Sequence, residues 1–259
     1  SRDHGDGQCL ARDRGHGGTQ SSCAANVASA QPPELATDRP GQSNSPTVVL
    51  GGMVQVEAGY LFSRAGDVDR QEMPITLVRV GLGGRTELRV GHAGISWLEG
   101  KNGRGDSELG VKVNLIEGGD AWLPELAIMG GMSLPTGGDG FSNNGIDPSL
   151  LVSFAYELSP RLSLGSNIGV AWEASPEEST RDAEIVYTLA LSGELRDRVG
   201  AFLELFGDRQ TTGTSASVDG GLTFLLTDLV QLDVYVGRGL RGLTDDLFLG
   251  TGLSFRVPR

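Results

Sequence analysis

Apolar and polar residues alternate along most of this chain, in runs separated by glycine-rich or charged breaks. Residues 150–158 show it most cleanly. Leu150, Val152, Phe154, Tyr156 and Leu158 share one phase, and Ser153, Ala155 and Glu157 the other. Successive strand side chains point to opposite faces, so a period of two marks a strand with one apolar and one polar side. With residues 122–134 this run frames a long glycine-rich loop, residues 135–148. Upstream, Val54, Val56, Ala58, Tyr60 and Phe62 alternate with Gln55, Glu57 and Gly59. Val78 and Val80 then flank Arg79, Leu88 and Val90 oppose Arg85, Glu87 and Arg89, and Leu109, Val111 and Val113 oppose Glu108 and Lys112. Downstream the pattern continues through Ile168, Ile185, Leu203, Phe224 and Val234 to Phe255.

The pattern predicts about twelve strands of roughly 9–13 residues, the length a tilted strand needs to cross a bilayer. Breaks near 83, 119, 159, 196 and 227 are short, whereas those at 63–72, 98–106, 135–148, 173–182, 207–215 and 238–246 are longer. Short turns at one rim and long loops at the other predict an all-β fold, an antiparallel up-and-down transmembrane barrel. An even strand number places both termini on the short-turn, periplasmic side. The competing fold is soluble, a β-sandwich or lipocalin-like binding barrel with its apolar faces inward. Sandwich strands are usually shorter, about 5–6 residues. The small Gly, Ser, Thr and Asn residues of the polar phase also suit a crowded lumen. Phe62, Trp122, Tyr156, Trp172, Phe224 and Phe255 lie near strand ends, where interfacial aromatics belong. Trp97 and Phe206 fall in the polar phase unless a bulge intervenes.

Composition narrows the picture further. The 259 residues carry a formal charge of −12, which disfavours nucleic acid as a partner. No apolar stretch is long enough for a transmembrane helix. Both cysteines, Cys9 and Cys23, precede residue 31, so the rest has neither a disulfide framework nor a thiolate metal site. Residues 1–30 are polar at first and end in Val27-Ala28-Ser29-Ala30, similar to a signal-peptidase site but without an apolar stretch before it. They read either as a disordered extension or as the remnant of a start displaced by a frame error. Residues 31–50, rich in proline, read as a periplasmic lead-in, and residues 51–259 as the barrel.

The stretch from Glu34 to Pro40, Ser45-Pro46 and the run from Val54 to Tyr60 resemble the start of the mature chain in one outer-membrane family, the phenol meta-pathway degradation proteins. Ser133-Leu134-Pro135-Thr136-Gly137 with Asp147-Pro148-Ser149 resembles that family's central motif, and the run from Gly250 to Phe255 its closing strand. The resemblance spans roughly residues 34–257. It implies a transporter-type barrel in the outer membrane of a Gram-negative bacterium, with membrane lipid and small, aromatic or apolar solutes as its partners. It supplies no catalytic residues and no cofactor.

The polar phase supplies the candidate lumen lining. Its acids are Glu57, Glu87, Glu108, Glu125, Glu157, Glu184, Glu204, Asp219 and Asp233. Its bases are Arg79, Arg85, Arg89, Lys112 and Arg161, with Arg238 and Arg256. Such residues either bias passage through a pore or brace the barrel as cross-strand ion pairs. Phe141, in the long loop, is a candidate constriction. A lipid hydrolase would need a His base beside a Ser nucleophile. After residue 30 only His92 remains, and Ser96, four residues on, lies about 13 Å away along a strand. The loop acids Asp139, Glu177, Glu178, Asp245 and Asp246 are oxygen donors of the kind Ca²⁺ takes, but read more simply as solvated charges.

Overall fold

The computed structural model describes residues 35–118, 123–174 and 181–258. The alternating runs form strands, with no helix among the described residues. These are β1 (Met53–Ala65), β2 (Val68–Gly83), β3 (Thr86–His92), β4 (Ile95–Leu98), β5 (Lys101–Arg104), β6 (Ser107–Ile116), β7 (Glu125–Leu134) and β8 (Asp147–Ser159). There follow β9 (Leu162–Ala174), β10 (Arg181–Arg196), β11 (Val199–Gln210), β12 (Gly213–Thr214), β13 (Ala216–Thr227), β14 (Val230–Arg241) and β15 (Leu247–Pro258). Neighbours pair antiparallel, and β15 returns to β1, from Met53 opposite Pro258 to Arg64 opposite Leu247. The sheet therefore closes into a barrel of twelve staves and leaves no free edge. The short pieces extend full staves: β4 prolongs β3 along β2, β5 leads into β6, and β12 leads into β13.

Burial runs opposite to that of a soluble core. Among the described residues, six apolar side chains are buried against twenty polar or charged ones, and Arg79 and Lys112 are fully enclosed. The apolar phase faces outward, with exposures from 40% at Val234 through 53% at Ile168 to 60% at Leu203. An apolar belt encircling a polar interior is stable in hydrocarbon and would aggregate in water. The sandwich and lipocalin-like alternatives, which need the apolar phase inside, are thereby excluded.

Several expected loops are strand instead. The 63–72 break is a tight turn at Gly66-Asp67, and 98–106 is the β4–β5 hairpin. Strands also reach Gln210 and Arg241, so much of the expected 207–215 and 238–246 loops belongs to the wall. Only the connection between β7 and β8 remains long among the fully described ones. Trp97 points outward because β3 and β4 are interrupted at Ala93-Gly94, which shifts the phase; its partners are Gln71 and Asn102. Trp122 lies outside the described residues.

Ile168 sits mid-strand on the outer face. Ile168→Arg is expected to lower unfolding stability in lipid bilayers by about 2–4 kcal/mol, read from urea titration, because a cation at the bilayer centre is poorly solvated. An unchanged midpoint would place that face against protein or water.

Candidate functional site

The site is the lumen, and the chain's own residues 35–49 cross it. This segment has no strand partner, and most of its hydrogen-bonded peptide groups are satisfied by side chains of the wall. Val49 N–H donates to Glu87 Oε2 at 2.7 Å. Asn44 N–H donates to Asn167 Oδ1 on β9 at 2.6 Å, and Asn167 Nδ2 returns a bond to Asn44 O at 2.9 Å. Gln42 and Ser43 N–H groups each donate to Glu204 on β11 at 2.6 Å. The N–H groups of Asp38 and Arg39 both reach Glu57 Oε2 at 3.1 Å. Ala36 O then accepts from Gln55 and Arg79 at 2.9 and 3.0 Å, back near the level of Val49. The segment is thus a loop inside the barrel, with both ends toward the short-turn rim.

Charge explains its placement. On β1, β2, β3 and β6 the buried charges of the wall are Arg79, Arg89 and Lys112 against Glu57 and Glu87, one cation in excess. Arg79 grips Glu87 with Nε and Nη2, both at 2.9 Å, and Glu57 with Nη1 at 3.1 Å. Asp38 supplies the missing carboxylate: it lies 3.5 Å from Arg79 and 3.0 Å from Lys112, and accepts a short bond from Arg89. The facing wall, β11, β13 and β14, carries Glu204, Asp219 and Asp233. There the neighbouring residue, Arg39, pairs with Asp233 at 3.3 Å and lies 5.9 Å from the Tyr235 ring centre. Gly59 and Gly252, directly opposite each other on β1 and β15, make room for the guanidinium; a Cβ at either would collide with it. Adjacent residues of opposite sign therefore meet different stretches of the wall.

The expected lining residues divide into four groups. Glu57, Arg79, Glu87, Arg89, Lys112, Glu204, Asp219 and Asp233 are buried in the lumen, and Arg256 joins them through Gln55 at 2.8 Å. Glu125 is half-buried and binds Thr47 and Asn114 at 3.1 and 2.7 Å. Glu108, Glu157, Arg161 and Glu184 border open cavities above or below the segment. Arg85 and Arg238 depart from expectation. Arg85 stands in the β2–β3 turn, exposed, and pairs with Glu117 at the rim. Arg238 is exposed in the phase of Val234 and Val236, on the outer face near a strand end.

Sequence reasoning missed the lumen segment itself. Residues 31–50 were expected to lead in from outside the barrel, whereas the described part, from Leu35, runs within it. Their only signal was the Asp38-Arg39 pair flanked by hydrogen-bonding Thr, Gln, Ser and Asn. Phe206, the other phase exception, needs no bulge. It points into the lumen and meets Phe248 edge-on at 5.9 Å, with Tyr235 6.5 Å beyond.

The candidate constriction residue Phe141 rests against Gly103 on the inner side of the β4–β5 hairpin. Its loop is anchored there by Asp106, whose two oxygens accept the N–H groups of Gly137 and Asn143 at 2.8 and 2.9 Å. Phe141 therefore lies against the rim wall, and the mid-lumen is narrowed by residues 35–49. Slight burial works in the other direction, but the Asn143 and Gly137 N–H groups hold the Asp106 carboxyl below its usual range. The pair proposed for hydrolysis has other partners: His92 Nδ1 accepts Gly94 N–H at 2.7 Å, and Ser96 Oγ donates to Glu72 at 2.7 Å.

Arg79→Leu removes the buried cation shared by Glu57 and Glu87 and is expected to cost about 3–5 kcal/mol in urea unfolding. Arg85→Ala, which breaks an exposed pair, is expected to cost under about 1 kcal/mol. Asp106→Ala is expected to speed amide exchange at Gly137 and Asn143. Because the Asp106 carboxyl is depressed, its hold on the loop is complete above the usual carboxylate range and is lost as pH falls through the lowered value. Exchange at those two amides should therefore also rise in strong acid, and unaltered exchange in the variant would show that the loop is held by other contacts.

Solved structures share this architecture. An outer membrane channel from Pseudomonas putida matches with a TM-score of 0.64 at 13% identity, over 85% of this chain and 99% of that one. The NanC porin matches at 0.55 and 14% identity, over 79% and 100%. The KdgM porin matches at 0.54 and 12% identity, over 78% and 98%. At these identities the likeness is one of fold. No curated protein sequence matches the chain. The model of one family covers residues 37–257, from within the lumen segment through nearly all of β15, and the chain belongs to that family, described as "Putative MetA-pathway of phenol degradation".

Proposed function

We propose that this protein is an outer-membrane channel of a Gram-negative bacterium, that it passes small aromatic or apolar solutes, and that residues 35–49 restrict its lumen. The observation that carries the reading is a polar lumen with open space on both sides of a segment held largely by hydrogen bonds and ion pairs. A cavity of about 440 Å³ lies toward the short turns, bordered by Glu157, Arg161, Ser163 and Glu204. Cavities of about 470 and 370 Å³ lie on the loop side. The family's link to phenol degradation and the Phe206, Tyr235 and Phe248 wall support the choice of solute. The short turns face the periplasm in this reading, as hairpin barrels inserted from that side require. The protein acts by passage rather than by catalysis, with membrane lipid around it. The channel and porin neighbours, and the separate engagement of His92 and Ser96, favour passage over the hydrolase alternative.

The test is conductance in planar bilayers and solute flux into liposomes. The unaltered protein is expected to give small, brief openings. Asp38→Ala removes the carboxylate that Arg79, Arg89 and Lys112 share, and is expected to give larger and longer ones. Bilayers that stay tight with correctly folded unaltered protein and variant alike would overturn the channel reading.

A further inference from the structure

The loop-side cavity of about 470 Å³ has a composition that selects among solutes. Phe206, Tyr235 and Phe248 give it an aromatic wall, and Glu184, Asp208 and Asp245 stand around it. No Lys, Arg or His is among its described lining residues. Glu184 accepts a bond only from the neutral Gln210, at 3.1 Å, and Asp208 only from Ser215, so no cation neutralises them among the described residues. Below Phe248 a further carboxylate, Asp219, is 2% exposed and neither of its oxygens accepts a hydrogen bond. Gly237 separates the two only narrowly, since a Cβ there would touch both Asp219 and Phe248.

We infer that this cavity is a binding site for small organic cations with an apolar body, such as arylalkyl ammonium ions. Aromatic faces attract cations through the ring quadrupole, and nearby carboxylates add a charge partner. The protein already uses this chemistry on the same wall. The Arg39 guanidinium lies 5.9 Å from the centre of the Tyr235 ring with Asp233 beside it, a cation held between an aromatic face and a carboxylate. Arg39 is neutralised by Asp233, whereas the carboxylates above it are not. The floor of the cavity is formed by Gln42 and Asn44 of the lumen segment, so a bound cation would wait directly above the restriction. The assignment rests on the channel reading for its role in passage but not for binding itself.

The experiment is calorimetric titration of the full chain in nonionic detergent with three probes of one shape: 2-phenylethylammonium, 2-phenylethanol and phenylacetate. The ammonium ion is expected to bind about tenfold tighter than either other probe, with the advantage shrinking in high salt. The double variant Glu184→Gln, Asp208→Asn is expected to lose most of that advantage and keep binding to the alcohol. Phe248→Ala is expected to weaken ammonium and alcohol together. Heat-modifiability on gels verifies that each variant is folded. Phenylacetate binding as tightly as the ammonium, or an ammonium advantage that survives the double variant, overturns the inference, the second outcome meaning partition into detergent. Selective ammonium binding by a protein that leaves bilayers tight would reject the channel and retain the site.

Discussion

A charge shut away from water needs a partner, and that requirement organises this lumen. Removing one member of a buried ion pair leaves the other without either solvent or counter-charge, at a cost of several kcal/mol. The wall of β1, β2, β3 and β6 cannot meet the requirement alone, because its three buried cations face two buried carboxylates. The wall of β11, β13 and β14 cannot either, because it holds only acids. Residues 35–49 meet part of both demands with one dipeptide. Asp38 turns to the cationic side and Arg39 to the acidic side. The segment's backbone N–H groups then serve Glu57, Glu87 and Glu204 as further donors. Barrel and segment are therefore electrostatically incomplete without each other.

The same requirement explains which features could be read from the sequence. A stave has to keep one phase for lipid and the other for the lumen, so its period of two is enforced over its whole length. The strands, the closed fold and most of the buried lining, Glu57, Arg79, Glu87, Lys112, Glu204 and Asp233, were legible for that reason. The lumen segment has no period to read. It bonds through peptide groups that every residue carries, and proline at 40 and 46 fits an irregular path as well as a linker. Arg85 and Arg238 mark the other limit. Phase gives the side a residue faces only within a continuous stave, and near a strand end a long arginine reaches water from either side.

Aromatic residues show how phase and local backbone combine. Trp97 and Phe206 both violate the simple alternation, yet for different reasons. An interruption at Ala93-Gly94 returns Trp97 to the outer face. Phe206 stays in phase and is a true lumen residue, where Phe248 and Tyr235 give it apolar company. Such a cluster inside a polar lumen is costly to hydrate when empty. A ligand with an apolar surface relieves that cost, which is why an aromatic wall is a stronger pointer to solute chemistry than the lining charges that brace the barrel.

Opening a path through this lumen can involve either the wall or the segment, and their energetics differ sharply. Every stave is hydrogen-bonded on both sides, so parting two strands in lipid would expose a row of peptide groups that hydrocarbon cannot satisfy. The segment is held instead by side-chain contacts inside a cavity that water can enter, and water can replace each bond as it breaks. Both of its ends lie toward one rim, so it can shift without being pulled through the barrel. On the channel reading, movement of residues 35–49 within a fixed barrel is therefore the less costly route. The charge match between Asp38 and its three cations then sets how often that movement occurs.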